Sequence, residues 1–145
     1  MALISTAQTH WEGDLASGSG TTTLESGATG PLAVSWRART EEHGGLTSPE
    51  ELIAAAHASC YSMALAADLA RRESPPKTLD TRATATFAQT EAGWRLTTMH
   101  LTVRADVPGI DPDDFQSIAE GAKTGCPVSH ALEGNVQITL EATLA

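Results

Sequence analysis

Cys60 and Cys126 are the only two cysteines in the 145-residue chain, and each stands where a thiol can be put to use. Cys60 falls in the run Ser48-Pro49-Glu50-Glu51-Leu52-Ile53-Ala54-Ala55-Ala56-His57-Ala58-Ser59-Cys60-Tyr61, and Cys126 in Gly125-Cys126-Pro127-Val128-Ser129. The N-terminal residues have neither a basic region nor an apolar stretch of the kind that directs export, so a cytoplasmic setting is expected. Thiols far apart in sequence in such a setting point to redox or metal chemistry rather than to a structural staple.

The two cysteines differ in what surrounds them. Cys60 sits about three turns into an alanine-rich helix, where burial alone would hold its thiol protonated and unreactive, so an attacking role requires a cation. Arg37 and Arg39 are the nearest candidates in sequence, on a predicted strand just before the helix, where their spacing of two puts both on one face. Cys126 precedes Pro127 and so caps a short helix, where unpaired amides favour a thiolate. Local physics therefore ranks Cys126 ahead of Cys60, and the sequence leaves open which of them attacks.

Other side chains widen the choice. His57 lies three residues before Cys60, and His130 four after Cys126, so a Cys2His2 zinc site can be written from these four. The middle of a core helix is a poor place to gather tetrahedral ligands, and Cys-His acyl transfer lacks a readable oxyanion hole. Glu50 and Glu51 are adjacent but not equivalent. The box Ser48-x-x-Glu51 commits Glu51 to the helix start and leaves Glu50 to meet an arginine.

The elements that must position these residues are readable from pattern. Gln8 to Leu15, Gly20 to Glu25 and Leu32 to Arg39 read as strands separated by Gly/Ser-rich turns, followed by a polar loop from Glu41 to Thr47. Ser48 as N-cap and Pro49 at the first helical position open a helix running to about Arg71, apolar nearly all round and expected to be buried. Thr78 to Gln89 and Trp94 to Val107 alternate as a hairpin about Thr90-Glu91-Ala92-Gly93. A helix follows from Asp111-Pro112 to Gly125, a short one from Pro127 to Leu132, and a last strand from Val136 to Leu144. The order describes an α+β protein, one domain over residues 1–145. A net charge of −9 and a pI near 4.8 argue against nucleic acid and against anionic membrane surfaces.

Taken as strings, Thr9-His10-Trp11-Glu12-Gly13-Asp14, Glu25-Ser26-Gly27, Ser48 through Leu65 and Gly125-Cys126-Pro127-Val128-Ser129 resemble the OsmC/Ohr family, and within it the osmotically inducible OsmC branch. The resemblance spans essentially the whole chain. It implies an OsmC-like fold, antiparallel sheets packed on a long central helix in an intertwined homodimer, and a thiol-dependent peroxidase for organic hydroperoxides that needs no cofactor. The helix cysteine, Cys60, would be peroxidatic and Cys126 would resolve it, reversing the ranking from local physics. The family's arginine maps onto Arg37 and its glutamate onto Glu50, the pair activating Cys60. An external dithiol of lipoyl type would restore the thiols. Tyr61, Met63 and Phe115 are candidate lining residues for the substrate. The competing expectation is a stress-induced dimeric module whose thiols hold zinc with His57 and His130, or merely pack.

Overall fold

The computed structural model describes all 145 residues, which cluster into two compact units, Met1–Leu52 and Ile53–Ala145. The first unit opens with strands β1 (Ala7–Glu12), β2 (Ser19–Leu24) and β3 (Leu32–Val34), an antiparallel sheet in the order β1-β2-β3. Trp11 lies opposite Gly20 in this register. A Cβ at position 20 would stand 2.7 Å from the Trp11 ring, so only glycine lets the indole lie flat across the neighbouring strand.

The third strand is shorter than its alternation suggests. After Val34 the chain turns into helix α1 (Trp36–Thr40), capped by Ser35, whose Oγ accepts the Ala38 N–H at 3.1 Å. Arg37 and Arg39 therefore lie on a helix. A spacing of two there separates them by about 200° of rotation, so they face opposite ways.

Helix α2 (Pro49–Arg71) starts in the first unit and belongs for most of its length to the second. Ser48 Oγ accepts the Glu51 N–H at 3.1 Å, the N-cap the sequence predicts. The Glu51 carboxylate takes the Thr47 hydroxyl at 2.6 Å.

In the second unit, β4 (Thr78–Thr90) and β5 (Gly93–Asp106) form the long antiparallel hairpin, paired from Thr78↔Asp106 to Thr90↔Gly93. Helices α3 (Pro112–Gly125) and α4 (Pro127–Leu132) then carry the chain to β6 (Gln137–Leu144). Strand β6 pairs with β5 in parallel, so this sheet is mixed rather than purely antiparallel as expected. The physical reason is the helical crossover: two helices between β5 and β6 return the chain to the end at which β5 began.

The core of this unit is built from Tyr61, Leu65 and Leu69 of α2, Leu101, Val103 and Ala105 of β5, and Phe115, Ile118, Ala119 and Ala122 of α3. The alternation on β5 and the 3–4 spacing on both helices account for that inner layer. Helix α2 is not buried all round. Ala56, Ser59, Met63, Ala67 and Ala70 form an exposed stripe along its opposite side, with Met63 71% exposed.

Candidate active site

Glu50, in the first turn of α2, is a buried carboxylate. Its partner is Arg39: Nε reaches Oε1 and Oε2 at 3.0 and 3.1 Å, and Nη2 reaches Oε1 at 2.8 Å. This fork geometry suits a guanidinium, and the Arg39 head also lies 5.9 Å from the centre of the Trp36 ring. Arg37 points the other way, with Nε 2.8 Å from Glu41 and Nη2 3.4 Å from Glu42, all three side chains mostly exposed. The expected pairing of Arg37 with Glu50 is thus corrected to Arg39 with Glu50. The reason is the unrecognised helix α1, which sends the two arginines to opposite sides.

The same unit holds a cavity of about 350 Å³ with mainly apolar walls. Trp11, Leu15, Trp36 and Leu52 line it, and Arg39 brings a charged group to it. Nothing in the local sequence marks this cavity, because its walls come from β1, the following turn, α1 and the start of α2.

The cysteines belong to the second unit. Both are free thiols, Cys60 half-buried and Cys126 fully buried. Burial pushes the Cys60 thiol up from its ordinary value, the nearby Cys126 thiol adds to the rise, and the Val128 backbone N–H opposes it. Val128 stands at the second position of α4, and Cys126, the N-cap, makes no side-chain capping bond.

His57, one turn before Cys60, is buried, and its Nε2 lies 2.8 Å from the buried Ser129 Oγ. Burial pushes its pKa below the usual histidine value. His130 is exposed beside Glu133, with Nδ1 3.6 Å from the carboxylate. The four zinc candidates do not converge, and no three His, Cys, Asp or Glu side chains gather as a metal site. Two of the candidate lining residues are core: Phe115 is fully buried, and the buried Tyr61 donates its hydroxyl to the Ala119 carbonyl at 3.1 Å. The His57–Ser129 pair was missed in the sequence, since 72 positions separate its members.

Comparison with known proteins adds to this geometry. The pattern of the OsmC-like protein family matches residues 42–141. Peroxiredoxin OsmC of Escherichia coli is 41% identical over 138 residues, covering 95% of this chain and 96% of that protein. The organic hydroperoxide resistance protein of Xanthomonas axonopodis pv. citri is 31% identical over 98 residues, 67% of each chain. Among solved structures, an organic hydroperoxide resistance protein OsmC from Legionella pneumophila superposes with a TM-score of 0.77 at 22% identity, covering 99% of this chain and 98% of that one. OhrB of Bacillus subtilis gives 0.75 at 24%, covering 95% and 98%. An α+β fold shared with these structures, and a sequence aligned with an OsmC protein over nearly its whole length, make this chain a member of the OsmC/Ohr family.

Proposed function

We propose that this protein is a thiol-dependent peroxidase that reduces organic hydroperoxides to alcohols, acting as one OsmC-like domain over residues 1–145 in the cytoplasm. The observation that carries the reading is the meeting of two free thiols, Cys60 on α2 and Cys126 at the start of α4, with no third metal-ligating side chain beside them. Its relatives named peroxiredoxin and organic hydroperoxide resistance protein support it.

The chemistry balances without a cofactor. The Cys60 thiolate attacks the distal peroxide oxygen, the O–O bond breaks, and the alkoxide leaves and takes a proton to become the alcohol. Cys60 is left as a sulfenic acid. Cys126 attacks that sulfur, the S–O bond breaks, water leaves and a Cys60–Cys126 disulfide forms. An external dithiol, of lipoyl type in this reading, reduces the disulfide by two exchanges and leaves as its own disulfide.

Arg39, held by Glu50, takes the place the family resemblance gave to Arg37, as the arginine paired with the site's glutamate. Arg37 keeps no part in this scheme. The apolar cavity walled by Trp11, Leu15, Trp36 and Leu52 suits the hydrocarbon part of an organic hydroperoxide, with Arg39 meeting its polar end. The exposed stripe of small residues and Met63 along α2 is the face on which a second copy would pack in the homodimer.

Adding cumene hydroperoxide to the reduced protein and counting thiols tests the reading. Wild type loses both thiols per equivalent, Cys60→Ser consumes none, and Cys126→Ser consumes about one equivalent and accumulates oxidised Cys60. Turnover by Cys60→Ser with loss of the first equivalent in Cys126→Ser reverses the two roles.

A further inference from the structure

We propose that His57 and Ser129 form a positioning pair that holds α4 against α2, so that Cys126 stays aligned for disulfide formation with Cys60. The inference rests on the peroxidase reading and adds two residues to it, neither of which touches the peroxide.

The two elements carry matching spacings. His57 precedes Cys60 by three residues on α2, and Cys126 precedes Ser129 by three at the start of α4. His57 and Cys60, three apart, share a face of α2, and the N-cap Cys126 and Ser129 of α4 both meet that face, so the two elements touch at two successive rungs. Cys60 beside Cys126 is one rung, and His57 Nε2 with Ser129 Oγ at 2.8 Å is the other. His57, Ser129 and Cys126 are all buried, so water does not compete for the bond.

Helix α4 needs such a bond. It has six residues, too few to be stable alone, and lies between Gly125 and Gly134. Its one buried residue is Ser129, with Val128 and Leu132 half-buried and the N-cap Cys126 buried before it.

His57 Nδ1 is buried without a partner, so the bond to Ser129 is the polar contact that holds the ring.

The step served is attack of the Cys126 sulfur on the Cys60 sulfenic acid. The S–S bond forms and the S–O bond breaks. The oxygen leaves as water with the Cys126 proton, and no further oxidant is needed. Its rate depends on how long Cys126 stays in attacking position, which is what the His57–Ser129 bond fixes.

Single-turnover oxidation by cumene hydroperoxide separates the two steps, with dimedone trapping the sulfenic acid between them. In Ser129→Ala and His57→Leu we expect disulfide formation to slow about tenfold and dimedone adduct and sulfinic acid to build up, while the peroxide step changes less than about threefold. His57→Gln places an amide N–H near the position of Nε2, and should restore most of the disulfide rate. A loss of packing alone would not be rescued in this way. Wild-type disulfide rates in both Ser129→Ala and His57→Leu overturn the proposal, as does a folded His57→Gln as slow as His57→Leu. If His57→Leu does not fold, Ser129→Ala, which removes one oxygen atom, decides alone. Equilibration of the thiols with glutathione reads the same alignment without peroxide. A wild type inert to hydroperoxide therefore sinks the peroxidase reading, while an unchanged Cys60–Cys126 equilibrium in Ser129→Ala sinks only the positioning role.

Discussion

Arg39 grips Glu50 through three N–H···O contacts of 2.8 to 3.1 Å, joining α1 to the first turn of α2. The Glu50 side chain is 10% exposed and that of Arg39 32%, so the pair is shielded where Arg37, 68% exposed, is not. We expect Arg39→Ala to slow the peroxide step by about 10²–10³-fold, the usual cost of one electrostatic stabiliser. Arg39→Lys should recover only part, since an ammonium cannot reproduce the fork. Glu50→Ala should act in the same direction but less, and the double variant should be little worse than Arg39→Ala. Arg37→Ala should stay within about twofold, as befits an exposed ion pair. A slowed peroxide step in Arg37→Ala with none in Arg39→Ala would return the role to Arg37.

His57 gives the protein an acid-sensitive point. Burial lowers its folded pKa below the ordinary 6.5, so between the two values the unfolded chain binds a proton that the folded chain refuses. The stability it contributes is fully present above the unfolded value and is lost as pH falls through that value toward the folded one. Urea midpoints measured from pH 7.5 downward should therefore drop below pH 6.5, and His57→Gln should flatten that drop. An equal drop in His57→Gln would assign the acid sensitivity to other groups.

Much of the framework is legible in the sequence because its signals are local. Ser48 and Pro49 announce α2, Asp111 and Pro112 announce α3, and the alternation through Leu79 and Phe87 or Leu101 and Ala105 announces the hairpin. Helix α1 is hidden because Leu32 to Trp36 alternates like a strand and the helix is only five residues long, leaving Ser35 as its one signal. The parallel pairing of β6 is not legible, since direction is set by the crossover and not by the strand's own residues. The site divides in the same way. Each cysteine motif is visible on its own, but the delivery of the Val128 amide to Cys60 and the His57–Ser129 bond join segments far apart in sequence. The choice between Arg37 and Arg39 follows the missed helix.

The start of α2 supplies a stability test separate from catalysis. Ser48 Oγ is the acceptor for Glu51 N–H, and Ser48 itself is 3% exposed. Ser48→Ala should lower the unfolding free energy by about 1 kcal/mol. Glu51→Ala loses an exposed contact with Thr47 and favourable charge at the helix start, and should cost about half as much. Denaturant titration distinguishes the two, and a larger loss in Glu51→Ala would show that the carboxylate is the stronger part of the cap.

In the proposed function the cavity wall sets substrate preference. Trp11 supplies apolar area to it. Trp11→Ala should raise KM for cumene hydroperoxide about tenfold through lost apolar burial, while hydrogen peroxide, with no hydrocarbon to bury, should change little. Equal changes for both peroxides would mean that Trp11 acts on the thiol or the fold and not on the tail.

The proposed homodimer is tested at Met63. A thioether left 71% exposed in the middle of a 23-residue helix, among Ala56, Ser59, Ala67 and Ala70, belongs to a face that water does not suit. Small side chains on either side of it let another helix approach closely. Met63→Glu adds a charge where the single chain has only solvent, so the fold of one copy should tolerate it. Burying that charge against a second copy would leave it unpaired, at a cost of several kcal/mol. Light scattering with size-exclusion chromatography should therefore show a dimer for wild type and a monomer for Met63→Glu, with helical circular dichroism retained. If Met63→Glu stays dimeric at the wild-type dissociation constant, the second copy does not pack on this face of α2.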